Sequence, residues 1–326
     1  EDYESTSMSY PVLFVLYGDQ VRGYFAEAVN AVDRLSGEGS IPRIIVVGIA
    51  NTDRYRDLSL VGRQSAPSGI EPFSQFVADE LIPYVEREYR TQDYRILLGP
   101  QAGAEFGLYS LAHHPDLFDA LMIGNPLRSK PARDQLQAAM LGRADRGFAS
   151  PKFVHVACPD TEGGVGKAEE VAYLRDFEKE LAHAGFRNLR LVVRYIEGNR
   201  DFIPSLLLTE GLRQLFRDYA FPQDREVRGL ADVAEHYSAL SEQLGFDVDI
   251  PERILALKAD ALSAAGAVDA AMEMLEYLVS AYPASLDGYW RLATLCRQRG
   301  DQQMALKYYR RCLEIMPTMR PASDWI

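Results

Sequence analysis

Tyr94-Arg95-Ile96-Leu97-Leu98-Gly99-Pro100-Gln101-Ala102-Gly103-Ala104-Glu105-Phe106-Gly107-Leu108 decides the fold. An apolar run of strand length meets a turn of small residues, and a helical pattern follows. Gly99 and Gly103 stand at the outer positions of G-x-S-x-G, the strand–turn–helix elbow whose central serine is a nucleophile. Small residues let the strand turn sharply and let the helix start close to it. The central residue here is Gln101. A carboxamide has no ionisable hydroxyl or thiol, so it cannot form an acyl-enzyme. The sequence therefore predicts an elbow that lacks its nucleophile.

The flanking pattern alternates strands and helices. Tyr10–Leu16, Arg43–Ile49, Ala120–Gly124, Lys152–Cys158 and Leu189–Ile196 read as further buried strands. Helical spacing covers 22–35, 73–89, 131–147, 167–184 and 206–219. This order predicts an α/β domain with a mainly parallel sheet covered on both faces. The polar segment 51–72 reads as a loop over the strand ends, where such sheets place their sites.

Several stretches resemble the esterase family that includes the enterochelin esterases. They are Tyr10-Pro11-Val12-Leu13 with Gly18-Asp19, Val46-Val47-Gly48-Ile49 with Asn51-Thr52-Asp53-Arg54 and Arg56-Asp57, and Asp79-Glu80-Leu81-Ile82-Pro83-Tyr84. Glu88-Tyr89-Arg90-Thr91 and Pro115-Asp116-Leu117-Phe118-Asp119-Ala120 complete the set, in the family's order. The resemblance spans about two-thirds of the chain and implies an α/β-hydrolase fold and descent from serine esterases. Family members carry further strands ahead of the Tyr10 strand, and the chain opens on Glu1 with no visible signal peptide, so a processed chain or a fragment is expected and location is left open.

The resemblance also places the lost machinery. The family's nucleophile falls on Gln101 and its histidine on Arg200, which stays protonated and cannot act as a general base. The former triad acid is expected at Asp160 or Glu162. Arg200 is expected to pair with one of these acids and close the old centre, with Gln101 adding its amide. The alternative leaves Arg200 free for a small anionic or ester ligand. Gly18, Asp19, Gln101, Ala102 and Arg200 are the candidate binding residues. Asp53, Arg54, Arg56 and Asp57 read as a charge cluster over the strand ends, solvated or internally paired. His155 and Cys158 are three apart on a strand and point to opposite faces, which excludes a dyad.

Beyond Pro251 the chain repeats. Gly266 and Gly300, Ala271 and Ala305, and Pro283 and Pro317 are each 34 apart, the tetratricopeptide period. The copy with Tyr289, Leu292, Ala293, Gly300, Ala305, Tyr309 and Cys312 is the clearer. Trp290 and Tyr289 are expected to pack within or between repeats. The expected layout is a hydrolase-like domain over 1–222, a linking helix within 223–250, and helical repeats over 251–326 that offer a surface to a protein partner and dock in part on the first domain.

The net charge of −12 argues against unassisted binding to nucleic acid or anionic membrane, and no apolar run reaches membrane-span length. Cys158, Cys296 and Cys312 form no paired motif, so neither a metal site nor a disulfide is expected, and no cofactor is implied. Three functions remain: a catalytically inactive esterase homologue that binds ligand or protein, an ester hydrolase with non-standard residues, and a scaffold for the repeats. The missing nucleophile and histidine favour the first.

Overall fold

The computed structural model describes residues 3, 6, 8–19, 23–50, 53–61, 67–124, 130–159, 168–196 and 203–316. It divides into two compact units, Tyr10–Tyr219 with Gln243–Phe246, and a helical unit built mainly from Ala220–Glu242 and Asp247–Ile326.

The first unit runs β1 (Tyr10–Leu16), α1 (Tyr24–Gly37), β2 (Ile45–Ile49), α2 (Arg54–Asp57), α3 (Ile70–Phe76), α4 (Ile82–Glu88), β3 (Thr91–Pro100) and α5 (Ala102–His113). It continues with β4 (Ala120–Gly124), α6 (Lys130–Leu141), β5 (Lys152–Pro159), α7 (Ala168–Ala184), β6 (Leu189–Ile196) and α8 (Ile203–Leu215). The six strands form one sheet in the order β2-β1-β3-β4-β5-β6, and every pairing is parallel. This is the α/β-hydrolase arrangement that the alternation and the resemblance imply. Every residue of β1 and β4 is buried, which explains their unbroken apolar runs, whereas the edge strands β2 and β6 are mostly half-buried.

Chain direction across the sheet reverses between β1 and β3. The crevice at their C-terminal ends is the topological switch point, where open α/β sheets bind ligands. At the opposite end of the strands, Lys152 and Asp119 form a buried ion pair at 2.8 Å. The second oxygen of Asp119 accepts from the Arg95 backbone N–H at 3.0 Å.

Two local readings change. The helix expected over 73–89 is divided by a π-helical turn, Val77–Leu81, between α3 and α4. Pro83 stands in the first turn of α4 and has no N–H to donate, so the hydrogen-bond ladder widens ahead of it. The loop expected over 51–72 holds α2, because Asp53 caps it by accepting from the N–H groups of Tyr55 and Arg56.

The helical unit comprises α9 (Leu230–Leu244, its last residues assigned to the first unit), α10 (Glu252–Ala264), α11 (Val268–Ala281), α12 (Leu286–Gln298) and α13 (Gln302–Ile315). The starts of α10 and α12, and of α11 and α13, are each 34 residues apart. Gly266 and Gly300 end the first helix of each pair at φ +82° and +83°. Ala271, Leu275 and Leu278 in one pair, and Ala305 and Cys312 in the other, are buried. Trp290 packs edge-on against Tyr309 within the second pair, ring centres 5.3 Å apart, and stays 57 % exposed.

Candidate functional site

The switch point is built from the ends of β1 and β3. Gln101 follows β3 with φ 56° and ψ −119°, a conformation that a non-glycine residue holds only when its surroundings impose it. Its N–H donates to the Gly124 carbonyl at 2.9 Å, and its carbonyl accepts from the Ala104 N–H at 3.0 Å. These bonds tie the turn to β4 on one side and to α5 on the other. The glycines are required sterically. A Cβ on Gly99 would lie 2.5 Å from the Gly103 carbonyl oxygen, and one on Gly103 would lie 2.8 Å from the Leu16 side chain. The elbow is therefore formed as the sequence implies, with a carboxamide at its tip. That carboxamide caps none of the α5 N–H groups.

Tyr17, which nothing in the sequence singles out, completes the crevice. It too has a positive φ, 60°, and it is 3 % exposed. Its hydroxyl oxygen faces the backbone N–H groups of Gly103 and Ala102, the donors at the start of α5. Burial pushes the phenol up to about 12, against the opposing pull of the Arg54 guanidinium and of those two N–H groups, so Tyr17 stays protonated at neutral pH. The Arg54 guanidinium lies 5.7 Å from the Tyr17 ring centre and 5.2 Å from that of Tyr55. Among the described residues Arg54 is in no ion pair, unlike Arg56, which holds Asp57 at 2.7 Å. The charge cluster is therefore paired internally except at Arg54.

Gly18 follows directly. Its N–H donates to the Ile49 carbonyl at 2.8 Å, and a Cβ there would lie 2.6 Å from the Gly48 backbone. Asp19 is half-buried beside it, and Ala102 is the first residue of α5. Glu105, one turn into α5, is a second residue that sequence reasoning missed. It is 6 % exposed and accepts from the Ser59 hydroxyl at 2.8 Å and the Leu60 N–H at 3.2 Å, which pins the loop after α2 onto the elbow helix. No pattern around Glu105 signals this, because its partners lie more than forty residues away in the chain. Arg200, Asp160 and Glu162 lie outside the described residues.

His155 and Cys158 are both buried in β5. The imidazole sits under α8, where a Cβ on Gly211 would lie 3.2 Å from its Nδ1, and among the described residues neither ring nitrogen has a hydrogen-bond partner. Burial pulls its pKa down to about 4, so it is neutral in the folded protein at neutral pH. The three cysteines are buried and none is in a disulfide. Among the described residues, no three of His, Cys, Asp and Glu gather to hold a metal ion, and no helix is long and apolar enough to cross a membrane.

The chain has similar sequences and folds among known proteins. Residues 1–156 match the family described as "Putative esterase". The ferri-bacillibactin esterase BesA of Bacillus subtilis is 28% identical over 137 residues, covering 36% of this chain and 47% of its own. The chain thus spans less than half the length of the curated relatives it matches. A crystal structure of an IroE-like serine hydrolase from Shewanella oneidensis superposes with a TM-score of 0.70 at 23% identity, over 85% of this chain and 91% of that one. An uncharacterised protein from Capnocytophaga ochracea gives 0.63 at 18% identity, over 94% and 86%. At these identities the structural likeness shows the fold. The first unit is esterase-like in sequence and an α/β-hydrolase in architecture.

Proposed function

We propose that the chain is an esterase homologue that binds without acyl transfer. The observation that carries this reading is Gln101 at the tip of a fully formed elbow, where an attacking hydroxyl would stand. Tyr17 supports it. The phenol oxygen faces the N–H groups of Ala102 and Gly103, and in a working elbow the N–H after the nucleophile stabilises the oxyanion. The binding residues in this reading are Gly18, Asp19, Gln101 and Ala102, with Arg54 as the nearby cation. Arg200 joins them if it is free of Asp160 and Glu162. The likeness to BesA supports an ester-bearing small ligand. The 34-residue period and paired helices support reading the second unit as tetratricopeptide-like repeats that engage a protein.

The test is covalent labelling together with turnover. A fluorophosphonate probe is expected to leave the elbow unmodified, and p-nitrophenyl butyrate is expected to be hydrolysed no faster than in a matched blank. Saturable turnover that survives repurification would overturn the reading. The likeness to BesA favours one rival, an ester hydrolase that activates water through a carboxylate such as Asp160. In that case Asp160→Asn would abolish the turnover and Gln101→Ala would leave it.

A further inference from the structure

The 34-residue period pairs α13 with α11 position by position. The second pair's α12 packs on the first pair's α11: a Cβ on Gly288 would lie 2.4 Å from Leu278 and 3.0 Å from Val279. Met272 belongs to the same interface, since its sulfur lies 3.2 Å from the Arg299 guanidinium. Moving 34 residues along the chain turns Met272 into Leu306, Val279 into Leu313 and Tyr282 into Met316. All three first-pair residues are half-buried, whereas Leu306, Leu313 and Met316 are 56 %, 65 % and 53 % exposed. The outer face of α13 thus repeats an apolar surface that, one repeat earlier, is covered by a helix.

The charges around that surface change sign. On α11 the flanking residues are Asp269, Glu273 and Glu276, and the helix that packs there is basic: Arg299 pairs with Asp269 at 2.6 Å, and Arg291 pairs with Asp260 on α10. Their equivalents on α13 are Gln303, Lys307 and Arg310. Among the described residues, neither Lys307 nor Arg310 is in an ion pair, on a chain whose net charge is −12. A helix that continues the packing at this end meets cations where α12 meets anions. A second copy of this chain brings net negative charge, but its basic α12 is a poor match.

We propose that the outer face of α13 docks an amphipathic helix of a partner protein, with an apolar stripe lying on Leu306, Leu313 and Met316 and acidic residues facing Lys307 and Arg310. Stripe and rim together set both the apolar spacing and the charge of the partner.

The experiment uses the full chain and two dye-labelled synthetic helices with the same leucine stripe, one flanked by glutamates and the other by lysines. By fluorescence anisotropy the glutamate peptide is expected to bind saturably and the lysine peptide to bind at least roughly tenfold more weakly. Leu313→Glu is expected to weaken the glutamate peptide by about tenfold or more, while Leu257→Glu on the exposed side of α10 leaves it unchanged. Exchanging both Lys307 and Arg310 for glutamate should reverse the preference between the peptides. All these positions are solvent-facing, and an unchanged thermal melt separates lost docking from lost folding. Equal binding of the two peptides, or indifference to Leu313→Glu, would overturn the proposal. So would a dimer in sedimentation equilibrium that Leu313→Glu dissolves, or peptide binding that appears only after residues 317–326 are removed, since each assigns the face to this chain itself.

Discussion

The two ends of the parallel sheet are built on opposite principles. At the N-terminal ends of β4 and β5, Lys152 is 3 % exposed, yet its charge is answered by Asp119, whose other oxygen holds the backbone of β3. At the C-terminal ends of β1 and β3, two non-glycine residues sit at positive φ and Arg54 has no acidic partner among the described residues. One end answers its buried charge within the fold. The other stores backbone strain and leaves polar groups available. Strain concentrates where a structure meets a ligand, so the difference supports the binding proposed at the upper end and a stabilising role for the lower one.

The largest expected effect breaks the lower end. Asp119→Ala strands the Lys152 ammonium in a site with almost no water and should cost about 3–5 kcal/mol. Urea denaturation monitored by hydrogen exchange of β4 and β5 measures it. The companion Lys152→Met should recover much of the loss, because the cost lies in the unpaired charge rather than in the missing contact. If Asp119→Ala costs less than about 1 kcal/mol, the pair behaves like an exposed one and the contrast between the two ends fails.

A second measurement sharpens the comparison at mid-sheet. His155 is a buried polar group whose ring nitrogens have no hydrogen-bond partner among the described residues. Its folded pKa of about 4 lies below the ordinary 6.5. The unfolded chain therefore binds a proton first as pH falls, and stability drops between those two values. There is no such penalty above the unfolded pKa, and the full penalty, on the order of 3 kcal/mol, is reached only below the folded one. Unfolding free energy of the wild type and of His155→Leu, followed from pH 7 to about pH 4, tests the sign. The wild type should lose more stability than the variant. Parallel curves would show that His155 finds a proton-independent partner.

The fold was legible because its signals are local. Alternating apolar runs, the glycines at 99 and 103 and the 34-residue period each constrain a short stretch, and each appears in the structure at nearly the expected residues. The elements that set the character of the two sheet ends were not legible. Lys152 meets Asp119 across 33 positions and Glu105 meets Ser59 across 46, and nothing near either pair announces it. Tyr17 was missed for a different reason. A tyrosine after a strand reads as a terminator, and only the coordinates reveal its positive φ and its hydroxyl facing the start of α5. Helical spacing anticipates the packing of Trp290 on Tyr309 but not that more than half of the residue stays exposed.

The smallest expected effect has the unusual sign. Gln101 holds φ 56° with ψ −119°, a region that glycine enters freely and other residues enter at a cost of order 1–3 kcal/mol. Gln101→Gly removes that strain and adds roughly 0.5–1 kcal/mol of unfolded-chain entropy. The balance is a stabilisation of about 1 kcal/mol. Gln101→Ala keeps the strain and loses the amide, so it should leave stability nearly unchanged, because that amide caps nothing in α5. The pair of variants separates backbone from side chain. A gain for glycine with no change for alanine means that the residue at the elbow is held at a thermodynamic loss, as binding positions are. If both variants destabilise the protein, the Gln101 amide is part of the structure's own hydrogen bonding. The upper end of the sheet would then be closed and satisfied like the lower one, and the division between them would disappear.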